Sequence, residues 1–197
     1  VELVAAIDEL DGIHLDYIRY PDVILAEALQ PKYDLVQDRE YPQFDYCYCD
    51  VCVADFKNET GINIADLPDP AASDQWRQFR YDRIVRLVNG ILIPAGRARN
   101  KVMTAAVFPN WEHVRQNWYR FELDAVLPML YNRFYNKGID WIGAECAKGV
   151  ANLSSQTRLY SGIMVPNDPA RLRQKYDISM ANGASGMSLF NADSMTD

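Results

Sequence analysis

Histidine is nearly absent from this chain: His14 and His113 are the only two among 197 residues, and no His-x-x-x-His spacing occurs. That removes the usual frame of a catalytic zinc site. Cysteine is sparse, at positions 47, 49, 52 and 146, too few to frame a disulfide-built miniprotein. No Gly-x-Gly-x-x-Gly turn and no phosphate loop is present, which excludes the common dinucleotide and nucleotide sites. Without a Gly-x-Ser-x-Gly elbow or a Ser-x-x-Lys motif, serine-nucleophile chemistry has no support. No cofactor is expected. No apolar run reaches the roughly 18 residues of a membrane-spanning helix. No signal-peptide pattern is present, and the chain opens on Val1 rather than Met, so it is expected to be processed, trimmed or cut from something longer. Positive charge is in deficit, 20 Lys and Arg against 27 Asp and Glu, for a net charge of −7. Nucleic acid and anionic membranes are therefore disfavoured as main partners.

What is present is a globular composition. Hydrophobic residues make up 49 % of the chain and aromatic residues 12 %, enough for one domain with a sizeable core. Apolar runs alternate between strand and helix periods. The end of a helix is expected over 1–9, and strands over 11–17, 102–108, 124–131, 158–165 and 186–191. Helices are expected over 74–93, 111–121, 139–151 and 169–182. Ser73 or Asp74 caps the first of these, and Trp76, Phe79, Ile84, Leu87 and Ile91 form its apolar stripe. Pro128 lacks a ladder donor, so the strand over 124–131 is expected to be irregular there. Residues 18–73 read as one long irregular loop, and so long a connection is usually functional.

Strands separated by helices imply an α/β protein with a parallel sheet, either an open doubly wound sheet or a β/α barrel. Polar and aromatic groups recur at the ends of the strands: Asp16; Phe108 with Asn110 and Trp111; Tyr131 with Asn132; Asn167; Asn191 with Asp193. That distribution favours a barrel whose strand ends converge on one face.

The stretch Asp11-Gly-Ile-His-Leu-Asp-Tyr-Ile-Arg-Tyr-Pro21 concentrates the chemistry. Strand parity sends Ile13, Leu15 and Tyr17 to one side, and Gly12, His14 and Asp16 to the other. An ionised Asp is rarely buried without a partner, so a carboxylate two residues beyond an imidazole at a strand end suits a site better than a core. The plainer alternative is a salt-bridged strand end, Asp16 with Arg19.

This stretch resembles the signature of the glycosyl hydrolase-like 10 family, bacterial proteins with a β/α barrel. Trp76-Arg-Gln-Phe-Arg80 leading into Ile84-Val-Arg-Leu-Val88, Ala105-Ala-Val-Phe-Pro109, Gln116-Asn-Trp118, Leu123-Asp-Ala-Val-Leu-Pro-Met-Leu-Tyr131, Gly162 and Gly183-Ala-Ser-Gly186 are similar to family segments in the same order. The resemblance implies a TIM-type (β/α)8 barrel of which this chain holds the C-terminal part, about strands four to eight, as a single partial domain over 1–197. It also implies an extracytoplasmic location, periplasmic, secreted or lipid-anchored, and an oligo- or polysaccharide substrate. The open sheet edges of such a piece would invite self-association.

Glycoside hydrolysis commonly uses two carboxyl groups. Asp16 is the first candidate. Glu112, just beyond the second strand of this chain, is preferred as its partner over Asp22 and Asp193. Some family members carry an acidic residue directly after the motif's Asp; Tyr17 stands there in this chain, which leaves the partner open. His14 could bind a sugar hydroxyl or tune the carboxylate. Arg19, Tyr20 and Asn132 could position substrate, and Trp111, Tyr131 and Phe190 are candidate sugar platforms. Core packing is the alternative for each aromatic. The Cys47-Tyr-Cys49-Asp-Val-Cys52 cluster reads as structural: a disulfide staple if the protein is extracytoplasmic, or a zinc knuckle that could in principle draw on Cys146. Without a second carboxylate the alternative function is a barrel that binds carbohydrate without cutting it.

Overall fold

The computed structural model describes residues 1–165 and 168–191. Asn167 and Asp193 lie outside them. Five parallel strands, β1 (Gly12–Leu15), β2 (Val102–Val107), β3 (Ala125–Pro128), β4 (Arg158–Met164) and β5 (Gly186–Phe190), pair in sequence order and form one curled half-barrel sheet. Helix α1 (Glu2–Ala5) precedes β1; α2 (Asp50–Thr60), within the long connection after β1, and α3 (Asp74–Leu87), α4 (Ile93–Arg97), α5 (Ile139–Asn152) and α6 (Pro169–Ala181) lie between strands.

Alternation along the strands decides which face is which. Ile13 and Leu15 of β1, with Met103, Ala105 and Val107 of β2, are buried in the main core beneath the helices, where Val88, Ile142, Cys146, Leu159 and Ile163 also pack. The intervening residues, His14, Thr104 and Tyr160 among them, are exposed or half-buried on the concave side. Gly162 is required where β3 hands over to β4: a Cβ there would lie 2.7 Å from the Pro128 carbonyl oxygen, closer than real contacts allow. Pro128 ends β3, and pairing resumes as a single Met129–Gly162 bridge. The expected strand over 124–131 is thus cut short at the residue that lacks an N–H.

The helix expected over 74–93 is longer and less regular. Ser73 does cap it, accepting from the Trp76 N–H at 3.3 Å. After Leu87 one π-helical turn, Val88–Leu92, leads into α4. Pro94 has no N–H for the Gly90 carbonyl, so the chain widens by a turn instead of stopping. The buried stripe runs through Trp76, Phe79, Tyr81, Ile84, Val85 and Val88, and leaves Leu87 and Ile91 on the surface, contrary to expectation. The expected helix over 111–121 is two 3-10 turns, Trp111–Val114 and Trp118–Arg120, separated by Arg115 at a φ of 55°.

The connection 18–73 is not structureless. It contains α2, ended by Gly61 at a φ of 76°, and four 3-10 turns. Phe56 and Ile64 close on Trp76 and Phe79 of α3 as a second, smaller core. Beside it lies an ionic cluster. The Asp45 carboxylate accepts from Arg80 and, at 3.2 Å, from Arg115, with the three side chains 0–1 % exposed. Glu40 holds Arg115 through both oxygens at 2.8 and 2.7 Å.

Candidate functional site

The candidate site is the C-terminal edge of β1 and what faces it. Parity places His14 and Asp16 on the concave side, as expected, whereas Tyr17 does not return to the core. It adopts a φ of 54° and is 79 % exposed. The left-handed turn presents the Tyr17 N–H to Asp16 Oδ1 at 2.7 Å. The Asp16–Arg19 bridge is not formed: Arg19 pairs with Asp22 at 2.9 Å, donates to the Tyr20 carbonyl, and stacks 4.6 Å above the Phe108 ring. The Asp16 carboxylate therefore stays exposed and without a salt bridge among the described residues.

His14 Nδ1 is 2.8 Å from Thr104 Oγ1 on the neighbouring strand. The register pairs these two residues directly, and sequence reasoning missed Thr104, although the parity of β2 carries the signal. Desolvation on the strand face holds His14 below the ordinary imidazole value, and the negative charge of Asp16 opposes that shift. The Tyr131 hydroxyl is raised by burial first and by Asp16 second, which places it in the same neighbourhood. Tyr131 stacks on Phe190 with centroids 5.9 Å apart and planes at 29°, and Phe190 is 56 % exposed. Asp16 and His14 on β1, with Tyr131 after β3 and Phe190 at the end of β5, thus offer a carboxylate, an imidazole and a flat aromatic pair on strands β1, β3 and β5 of the curled sheet.

The other expected site residues lie differently. Asn132 is buried and donates to the Lys137 carbonyl at 2.7 Å, so its amide closes its own turn. Trp111 is half-buried and in edge-to-face contact with Tyr81 and Tyr119, at 5.1 and 5.7 Å, so it takes part in packing. Tyr20 is half-buried, its N–H donates to the Val114 carbonyl, and its phenol is pushed up to about 12 by burial and then by the nearby Cys52. Glu112 lines a surface depression with Glu40, Arg77 and Tyr81, and its charge is felt at His113, Tyr119 and Glu145. No contact among the described residues joins Glu112 to Asp16.

The curled sheet also leaves a hollow of about 580 Å³ lined by Thr104, Leu127, Arg158 and Tyr160 with the starts of the strands. The three sulfurs of Cys47, Cys49 and Cys52 lie within 4.8 Å of one another, and none of the four cysteines is joined in a disulfide. The expected disulfide staple is not formed, and Cys146 is buried in the main core, away from the cluster. No helix of the described residues is long and apolar enough to cross a membrane. No family model, curated protein or solved structure matches this chain.

Proposed function

We propose that the chain is part of a glycoside hydrolase-like (β/α)8 barrel, about strands four to eight, that acts on the glycosidic bonds of a bacterial polysaccharide or of the peptidoglycan glycan outside the cytoplasm. The observation that carries this reading is Asp16, a solvated carboxylate at the C-terminal end of a parallel strand, the end at which such barrels do their chemistry. A sugar ring laid on Tyr131 and Phe190 would bring its polar edge to His14 and Asp16. In hydrolysis one carboxyl protonates the leaving oxygen, and the other attacks the anomeric carbon or takes a proton from water. Asp16 fills one of these roles and Glu112 is the candidate for the other. Arg19, fixed by Asp22 and Phe108, stiffens the turn that carries Asp16.

The distinct surroundings of Glu112 favour a second reading, a barrel that binds glycan without cutting it. Both are tested by incubating wild type and Asp16→Asn with peptidoglycan glycan strands and a panel of polysaccharides, scoring released reducing ends and co-sedimentation together. Hydrolysis predicts release by wild type and a loss of about 100-fold or more in Asp16→Asn, the scale of a lost acid–base group. Co-sedimentation without release in wild type supports the binding reading. Release at the wild-type rate by Asp16→Asn refutes the assignment of Asp16.

A further inference from the structure

Cys47, Cys49 and Cys52 have no part in the chemistry above, although Cys52 lies near the Tyr20 phenol. Their sulfurs lie within 4.8 Å of one another and no two are joined. A disulfide would bring two of them to about 2.05 Å and orphan the third. Cys146 could not pair with that third thiol, because it is buried in α5 facing Ser161 and Ser179. A tetrahedral thiolate site asks for less: metal–sulfur bonds of about 2.3 Å place sulfurs about 3.8 Å apart. The observed spread lies within a small side-chain rotation of that figure.

The scaffold around the sulfurs is already rigid. Cys49 is the N-cap of α2, and its own N–H points at Cys47 Sγ at 3.4 Å. Cys52 follows within the first turn, and the backbone N–H groups of the helix N-terminus favour a thiolate at Cys49. The residues leading in are clamped to α3: Arg80 donates both to Asp45 and to the Tyr46 carbonyl. Tyr48, between the first two cysteines, donates to the same Asp45 and packs 5.4 Å from Trp76. Arg80 is 1 % exposed, and its Nη2 has no hydrogen-bond partner. The charge of Arg80 is paired with Asp45, but one of its buried N–H groups still points to no acceptor beside the residues that lead into the knuckle.

We propose that Cys47, Cys49 and Cys52 form a three-thiolate site for one soft divalent cation, zinc above all, whose fourth position is taken by water or by a ligand from outside these residues. Binding displaces the thiol protons to solvent and forms metal–sulfur bonds, with no change of oxidation state. The ion would fix the segment 47–52 that leads into α2. The proposal is independent of the glycosidase reading.

The test uses the full chain, reduced, stripped with chelator, and titrated with Zn2+ and separately with Co2+. One equivalent of either is expected to bind. Cobalt should show thiolate charge-transfer absorption, and zinc should protect three thiols from a thiol reagent and raise the melting temperature. Cys146→Ser should keep the whole signal. Cys49→Ser and Cys52→Ser should lose it, with circular dichroism reporting whether each variant is folded. Stripped wild type against zinc-loaded wild type gives the answer even if neither variant folds. Absence of cobalt charge transfer in the reduced protein overturns the proposal. So does metal binding that survives replacement of all three cysteines, or a disulfide among them in protein taken from its native compartment.

Discussion

Replacing Asp45 with asparagine keeps its shape and removes its charge, and the structure fixes what should follow. The carboxylate has no side-chain exposure and lies between two guanidiniums, Arg80 and Arg115, that are themselves 1 % and 0 % exposed. Removing one partner of a buried pair costs about 3–5 kcal/mol, because the remaining charge is left without compensation. Arg115 keeps the two-oxygen grip of Glu40, and Arg80 keeps only carbonyls, those of Trp76 and Tyr46. The lower part of the range, about 3–4 kcal/mol, is therefore expected. With a urea slope of about 2 kcal/mol per molar, the unfolding midpoint should fall by about 1.5–2 M. Burial alone would raise the Asp45 carboxyl, but the hydrogen bond and charge of Arg80, with help from Tyr48 and Arg115, hold it below the usual carboxylate value. Its contribution is thus present above the unfolded value of about 4 and is lost as pH falls through the depressed folded one. The gap between wild type and Asp45→Asn should be flat above about pH 5 and should close on acidification below about pH 4. A midpoint shift under about 0.5 M, or a gap that widens in acid, would refute the reasoning.

Four further variants have expected outcomes. Asp16→Asn should lower the His14 pKa still further, read by NMR titration of the imidazole, since only the Asp16 charge offsets desolvation there; a rise would mean that the two do not share a field. Gly162→Ala should cost about 1–3 kcal/mol by forcing a Cβ against the Pro128 carbonyl, several degrees of melting temperature. Gly90→Ala, where a Cβ meets nothing within 4 Å, should be neutral or stabilising. Phe56→Ala, fully buried and edge-on to Trp76 and Phe79 at 5.0 and 5.4 Å, should cost about 3–5 kcal/mol. Because that cluster is separate from the main core, amide exchange should speed up in α2 before it does in β1–β4.

The sheet was legible because its signal is repeated: five apolar runs in α/β alternation force parallel pairing, and parity alone places His14 and Asp16 on one face. The α2 helix was not, because its sequence from Asp50 to Thr60 buries only Phe56 and has no apolar stripe. It is held instead by partners distant in sequence, with Asp55 and Glu59 accepting from Arg83 and Arg86 of α3. The ionic cluster was hidden for the same reason, since Glu40, Asp45, Arg80 and Arg115 meet only in the fold. Trp111 illustrates a different limit. Beside a strand end, an aromatic that packs and an aromatic that stacks on a ligand have the same sequence, and only Tyr81 and Tyr119 decide between them.

A solvated carboxylate is useful to a catalyst only if its backbone is fixed, and here the fixing comes from outside β1. Gln116 is 1 % exposed and uses both ends of its amide: Oε1 accepts from the Phe108 N–H at 2.9 Å, and Nε2 donates to the Ile18 carbonyl at 3.3 Å. Tyr20 and Val23 donate from their N–H groups to the carbonyls of Val114 and His113. The turn after β1 is thus sewn to the turn after β2 on both sides of Arg19. Tyr17 can then hold a left-handed conformation that costs a side-chain-bearing residue about 1–2 kcal/mol, because the flanking bonds leave it no alternative. Its N–H is thereby aimed at Asp16. The neighbour of Gln116 in sequence is Arg115, which Glu40 and Asp45 grip from the connection after β1. That connection therefore does more than cover the sheet. Through Arg115 it braces the segment on which the β1 turn rests, leaving the Asp16 side chain free to face solvent while the backbone beneath it stays in place.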